Sequence, residues 1–263
     1  MRTNRSTILA GRKVVLVPYR KQHVPRYHEW MKDPLIQEQT ASEPLSLEEE
    51  YEMQQSWAVD EDKLAFIILA LPEMASSKGE ASSIEVCKAQ DLVSKSKMIG
   101  DVNIFFNARH EDEEDKEVDK TEGNGAKQRS NVFDAECEIM IAEHSYRRQG
   151  IAREALQMMF AFVTTRPTPV AQASSDTGQS NAAELAKSND AIHCTLPIPL
   201  DWLTCKISLS NTPSIQLFES LGFTRQSVSE IWKEVELRFT SIDSKLHDQI
   251  ANSMQNVLYL SDE

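Results

Sequence analysis

Residues 147–152 read Arg147-Arg148-Gln149-Gly150-Ile151-Ala152. An apolar, strand-like segment, 137–142, precedes them, and an amphipathic helix, 153–164, follows. Strand, tight basic turn and helix together build an anion site. The first turn of a helix carries free backbone N–H groups and a partial positive charge. A glycine there lets a phosphate approach the backbone, and arginines add charge-assisted hydrogen bonds. The run reads as a pyrophosphate cradle. It is no P-loop, since no Gly-Lys-Ser/Thr follows, and it lacks the Gly-x-Gly-x-x-Gly of dinucleotide sites. Taken alone, it is equally a basic helix N-terminus with a turn glycine.

About sixty residues later comes Asn211-Thr212-Pro213-Ser214-Ile215-Gln216-Leu217-Phe218-Glu219-Ser220-Leu221-Gly222-Phe223, after the apolar stretch 202–209. Asn211 suits a helix cap and Pro213 the first turn. Ile215, Leu217, Phe218 and Leu221 make an apolar face. Gly222 falls where a helix end needs positive φ. An ordinary capped helix explains this block but not its pairing with the first.

The two blocks together resemble the signatures of the GNAT acetyltransferases. In that family, Arg or Gln, two residues, Gly, one residue, then Gly or Ala binds acetyl-CoA. A strand then leads into Asn-x-x-Ser or Ala and a helix ending Leu-Gly-Phe. Residues 12–19, 23–31, 40–45, 48–51, 100–103 and 138–143 are similar to the N-acetyltransferase-9-like eukaryotic branch of this superfamily. The resemblance covers about 12–69, 98–106, 134–165 and 200–240. It implies a single GNAT domain over 1–240 and a C-terminal tail over 241–263.

Composition is consistent with that. The chain has 263 residues, 40% of them hydrophobic, enough for a sizeable core, and a formal net charge of −13. That charge argues against nucleic acid or an anionic membrane as the main partner. Nearly half of it is local, because residues 111–122 hold eight acidic residues against Lys116 and Lys120. Cys87, Cys137, Cys194 and Cys205 form no C-x-x-C pair, and no H-E-x-x-H occurs, so no metal site is expected. Scattered thiols fit a reducing compartment, and the cytoplasm is expected, with the nucleus left open. No signal peptide and no 18-residue apolar run is visible.

Strands are expected over 13–18, 64–71, 98–106, 137–142, 202–209, 226–228 and 232–240. Helices are expected over 25–32 and 47–58, the latter opened by a Ser46/Glu49 capping box. The continuous apolar run 64–71 marks a central strand. The fold class is α/β (α+β), a mixed central sheet of about seven strands with helices on both faces. Segments 72–97, 107–131 and 166–199, rich in Ser, Ala, Glu or Lys, read as mobile surface insertions. Residues 241–263 read as a short helix with a frayed, acidic end.

The resemblance also implies the chemistry. An amine attacks the thioester of acetyl-CoA directly. Backbone groups of Met140, Ile141 and Ala142, on a strand that splays from its neighbour, face the co-substrate, and an N–H there stabilises the developing oxyanion. Arg147, Arg148, Gln149, Gly150, Ile151 and Ala152 hold the pyrophosphate. Asn211 and Ser214 face the pantetheine arm, and Phe218 lies near the sulfur. Glu138 and Glu136, two apart on one strand, share a face. Glu138 is the expected general base, directly or through a water, although both also read as solvated carboxylates on a sheet surface. Asp101 and Asn103 support it from the adjacent strand, and Glu29 and Glu43 are weaker candidates.

Many family members carry a tyrosine as general acid where this chain has Phe218. A thiolate leaving group, with a thiol pKa of about 8.5, tolerates that loss. An α-amine near about 7.7–8.0 is partly neutral at pH 7, whereas lysine near about 10.4 needs more help. The loss therefore favours an N-terminal amine over lysine. Tyr146 and Cys205 are alternative donors. The leading reading is an N-acetyltransferase acting on a protein amine, with tubulin chains as the acceptor the branch implies. The alternative is a catalytically weak binding module that acts through protein, for instance microtubule, contacts.

Overall fold

The computed structural model describes residues 2–72, 93–109, 133–165 and 194–253, and the backbone of 256–259. The strands are β1 (Thr7–Ala10), β2 (Val14–Pro18), β3 (Lys63–Ala70), β4 (Lys97–Ala108), β5 (Phe133–Ile141), β6 (Leu203–Ser208), β7 (Phe223–Ser229), β8 (Glu234–Phe239) and β9 (Asn256–Tyr259). The helices that matter below are α1 (Val24–Met31), α2 (Pro34–Gln39), α3 (Leu47–Val59), α4 (Ile151–Thr164), α5 (Thr212–Glu219) and α6 (Ser244–Ala251).

Strands β2 and β3 are apolar on both faces, which places them centrally. Val14 and Leu16 join Phe66 and Ile68 in one core, while Val15 and Val17 join Ala65 and Ile67 in the other. The first core is covered by α4, whose Leu156, Met159 and Phe160 are fully buried, and by α5. The second lies under α1, through Val24, Tyr27 and Trp30. Helices thus cover both faces of one sheet ordered β7-β8-β6-β5-β4-β3-β2-β1-β9.

Every neighbouring pair is antiparallel except β5 and β6. That parallel pair is in register only at Ala135↔Leu203 and Glu136↔Thr204. Strand β5 runs on to Ile141 and β6 to Ser208 without further pairing. The strands part there, and the second half of β5 turns its backbone towards a gap instead of a ladder.

Among the described residues the sheet has nine strands, where about seven were expected. The two additional strands are β1 and β9. Four apolar residues cut short by Gly11, Arg12 and Lys13 look too brief for a strand, but β1 is the first arm of a hairpin, with Leu9 opposite Leu16. The C-terminal region forms the expected short helix, α6, and then adds β9 alongside β1. The strand expected from 202 starts at Leu203, because Leu200–Trp202 is a single 3-10 turn. The strand expected from 232 starts at Glu234, because Ile231 and Trp232 lie exposed in the β7–β8 turn.

Helix α3 has its capping box, with the Ser46 and Glu49 side chains each accepting from the other's backbone N–H. Helix α2 was not expected. Asp33 caps it by accepting from Leu35 N at 2.9 Å, and Pro34 occupies its first turn. Such a cap contributes about 1 kcal/mol, a large share of what holds a six-residue helix. The acidic run 111–122, Cys87 and most of the three insertions lie outside the described residues. The end of the third insertion is described: Ile198 is buried, and its N–H donates to Val163 O at 2.8 Å.

Candidate active site

The turn between β5 and α4 takes its shape from two left-handed residues. Arg148 has φ +63° and Gly150 has φ +77°. Alternating backbone handedness turns successive N–H groups to one side, a concavity suited to an anion. Gly150 is the N-cap of α4 and no side chain caps that end, so its N–H groups stay available. Arg147 anchors the turn by donating from Nε to Ile141 O at 2.8 Å.

A cavity of about 410 Å³ opens at this turn. The gap between β5 and β6 contributes Ile139, Met140 and Ile141, the turn contributes Arg147, Arg148 and Gly150, and α4 contributes Ile151 and Ala152. Asn211 and Ser214 close the far side. Asn211 also caps α5, accepting from Ser214 N at 3.3 Å.

A second cavity, about 460 Å³, lies on the α1–α3 face of the same gap. It receives Asp101, Asn103 and Phe105 from β4, Glu136 and Glu138 from β5, and Glu50 from α3. Thr40, Ile139, Met140, Asn211 and Ser214 line both cavities, so the two meet at the end of β5. Among the described residues, six carboxylates, from Glu43, Glu50, Asp101, Glu136, Glu138 and Glu234, line the second, against the single ammonium of Lys206.

These carboxylates differ in state. Lys206 Nζ sits 3.1 Å from Glu136 Oε2. Glu138 remains open to the cavity, yet desolvation by the surrounding protein, with the charges of Asp101 and Glu136, pushes its carboxyl up to about 7 against the pull of Lys206. Burial raises Asp101 to about 6, although Asn103 Nδ2 donates to it at 2.8 Å and Tyr27 OH at 3.4 Å. A carboxylate tuned towards neutrality, in a cleft, beside an anion-binding turn, is suited to accept a proton.

A family model described as "Acetyltransferase (GNAT) domain" matches residues 13–224. The chain belongs to the GNAT acetyltransferases. It is an N-acetyltransferase, and acetyl-CoA is its co-substrate. An N-acetyltransferase 9-like protein of Nematostella vectensis is 36% identical over 92% of this chain and 89% of its own length. The Homo sapiens protein named alpha/beta-tubulin-N-acetyltransferase 9 is 35% identical over 93% of this chain and 88% of its own length. Among solved structures, a ribosomal L7/L12 alpha-N-protein acetyltransferase in complex with coenzyme A aligns with a TM-score of 0.50 and 11% identity. That alignment covers 88% of this chain and 96% of that one, and it is a likeness of fold.

The donor set fits a GNAT co-substrate, with unfilled N–H groups and two arginines at one end of the cavity and an unpaired strand edge along its side. Of the residues expected to hold acetyl-CoA, Met140, Ile141, Arg147, Arg148, Gly150, Ile151, Ala152, Asn211 and Ser214 line it. Ala142 and Gln149 do not. The Gln149 side chain donates to Ser145 O at 2.6 Å, and its carbonyl accepts from Lys13 Nζ at 2.6 Å. Phe218 borders the second cavity and is buried against Phe223, ring centroids 5.1 Å apart. Glu136, Glu138, Glu43, Asp101 and Asn103 all line the second cavity, while Glu29 lies outside it, paired with Lys32 at 2.6 Å. Of the alternative donors, Tyr146 lines the first cavity, whereas Cys205 is fully buried, its thiol pushed well up by burial.

Four contributions were missed. Lys13 reaches the turn from the β1–β2 hairpin, and Glu154 holds that hairpin by accepting from Arg12 N at 2.6 Å and Lys13 N at 2.8 Å. Helix α2 walls the first cavity with Ile36 and Gln39, a wall foreshadowed by the Asp33-Pro34 cap. Glu50 enters the second cavity from α3. Glu143 fixes α1 to the end of β5, accepting from Trp30 Nε1 at 3.0 Å and from Arg26, with Lys97 Nζ at 3.3 Å. Lys13 carried no local sequence signal, because its partner lies 136 positions away, and Glu50 carried none, because the cavity it enters is lined from other strands and loops.

Proposed function

We propose that this acetyltransferase acts on the N-terminal α-amine of a protein, in the reducing cytoplasm, with Glu138 as general base. The observation that carries the reading is the junction of the two cavities. Glu138 lines the acidic one, and the next two residues along its strand, Ile139 and Met140, line both. An amine in the acidic cavity and a thioester in the other would meet across that short stretch of β5.

The co-substrate supplies the acetyl group. The chain's own residues do the rest. The β5–α4 turn and its arginines hold phosphate charge, Asn211 and Ser214 border the arm, and the open edge of β5 offers backbone groups to it. Glu138 takes the proton released as the amine nitrogen forms its new bond to carbon, and the carbon–sulfur bond breaks with the coenzyme leaving as its thiolate. A base near 7 and an α-amine near about 7.7–8.0 are closely matched, which favours proton transfer at neutral pH. A lysine near about 10.4 is matched less well. Phe218 donates no proton, and Tyr146 lines the co-substrate cavity. The acidity of the second cavity favours a cationic acceptor. The names of the relatives support tubulin chains as that acceptor.

Replacing Glu138 with Gln tests the assignment. Turnover should fall by about 10²- to 10⁴-fold, the usual weight of a positioned base, while acetyl-CoA affinity by calorimetry stays unchanged. Unaltered turnover between pH 6 and 8 would remove Glu138 from this role.

A further inference from the structure

Strand β4 carries one residue more than its neighbour can pair. On β3, Leu69 pairs with Met98 and Ile68 with Gly100, so Ile99 and Gly100 together stand against Ile68. Two residues against one make a β-bulge. Its effect shows in what lies on either side. Every second residue of a regular strand faces the same way, so Ile99 and Asp101 would share a face. They do not. Ile99 packs into the first core with Val102 and Ile104, whereas Asp101, Asn103 and Phe105 line the acidic cavity on the opposite face. Carried on without the bulge, the alternation of Met98 and Ile99 would send Asp101 and Asn103 into an apolar core, at the cost of burying polar groups there.

Gly100 lets this bulge lie close against β5. Its backbone is outside the left-handed region, so its conformation does not call for glycine. What it supplies is space. A Cβ at position 100 would lie 2.0 Å from the Met140 carbonyl oxygen and 3.1 Å from Ile141 Cα. Both are backbone atoms, which no change of rotamer moves aside. A strand glycine at a bulge commonly marks such a close approach of another backbone. Here the approach falls on the reacting segment. Met140 and the residue before it, Ile139, line both cavities. Across the β4–β5 ladder Met140 pairs with Asp101, and Glu138 with Asn103. The bulge decides which side chains of β4 face the base, and the missing Cβ decides how closely the end of β5 lies on β4.

We propose that Gly100 is a positioning residue for acetyl transfer, acting through the β4 bulge and the Met140 backbone on the place where amine and thioester meet. This rests on the reading that transfer takes place across Ile139 and Met140. Gly100 touches no substrate in this account. It keeps the end of β5 drawn towards β4 and away from β6, which holds the gap open for the co-substrate arm. It also keeps Asp101 and Asn103 in line with Glu138. A methyl group at position 100 pushes on the Met140 carbonyl and so moves the reacting groups relative to one another. A misplacement of about 1 Å at such a point can cost about 10²-fold in rate.

The test is Gly100→Ala in the full chain, which adds one methyl group and no charge. Its kcat is measured with the best acceptor of the unaltered protein and counted per acetyl-CoA-binding molecule, from the stoichiometry in calorimetry. That kcat should fall by at least about 10²-fold, while the acetyl-CoA dissociation constant rises no more than about threefold, because the phosphate-holding turn lies beyond the disturbed pair. Val102→Ala is the structural comparison. Val102 is two residues along β4 and fully buried, so its loss leaves a cavity and lowers the melting temperature, yet kcat per binding molecule should stay unchanged. Four results overturn the proposal: an unaltered kcat in Gly100→Ala, a fall in kcat matched by an equal loss of acetyl-CoA affinity, an equal fall in Val102→Ala, or a Gly100→Ala chain with no cooperative melting transition, which would assign the glycine to folding alone. Glu138→Gln, assayed alongside, separates this from the proposed base. A slow Glu138→Gln with a normal Gly100→Ala strikes the glycine's role alone, and the reverse pattern strikes the base and leaves the glycine's role standing.

Discussion

Asn103 and Glu138 stand directly opposite each other on the β4–β5 ladder. Opposed residues of an antiparallel pair share a face of the sheet. The base and the Asp101–Asn103 pair are therefore one electrostatic unit, and the charge on Asp101 helps to lift Glu138. The rate of transfer, as kcat/KM, should rise with pH and level off above an apparent pKa near 7. Asp101→Asn should shift that inflection downward, although not to an ordinary carboxylate value, because burial is the larger cause. A pH–rate profile that does not move in Asp101→Asn would show that the two groups are uncoupled.

The same raised carboxyl bears on stability. Glu138 titrates near 4.5 when free of the fold and near 7 within it, so between those values the folded state binds more protons than the unfolded. Its contribution to stability is fully present below about 4.5 and is lost as pH rises through about 7. Other carboxylates, such as Glu143, are held low and act with the opposite sign, so the difference between proteins is the useful quantity. The urea midpoint of Glu138→Gln, relative to the unaltered chain, should climb between pH 4 and 8. A constant difference would contradict the shift.

Gly150 is required for its backbone conformation. Among the described residues a Cβ there would meet only Lys13 Nζ, at an unstrained 3.5 Å, so none of them collides with a side chain. The cost is the left-handed conformation, about 1–2 kcal/mol for an ordinary residue and more for a β-branched one. Gly150→Val should weaken acetyl-CoA by at least about tenfold as the concavity of N–H groups is lost. Gly150→Asn, which tolerates positive φ, should lose much less. Equal losses by calorimetry would place the effect in the side chain.

Lys13 ties the β1–β2 hairpin to the carbonyl of Gln149. Lys13→Met should raise the acetyl-CoA dissociation constant about three- to tenfold, as one charged hydrogen bond and one nearby cation are lost. The affinity that remains should also depend less on salt. An unchanged dissociation constant and salt dependence would make the contact incidental.

Much of this site was legible because its signals are local. The turn, its glycine and the start of the helix after it occupy six consecutive residues, and Asn211 with Ser214 form one capping unit. The shared face of Glu136 and Glu138 follows from the two-residue period of a strand. What stayed hidden is long-range. Lys13 meets its partner across 136 positions, and Glu50 sits on a helix whose own pattern says nothing of the cavity beneath it. Phe218 reads as a ring beside the sulfur, but packing takes it into the core against Phe223. Strands β1 and β9 escaped notice for a related reason, since each is four residues long and acquires its meaning from the strand alongside.

The most direct test of the account is acetyl transfer from labelled acetyl-CoA to a paired peptide set. One half carries free N-termini, and the other has blocked N-termini with internal lysines. The account predicts label on the free N-termini alone, with its rate cut by about 10²- to 10⁴-fold in Glu138→Gln. Label confined to the lysines, or absent from both halves while acetyl-CoA still binds, would contradict it.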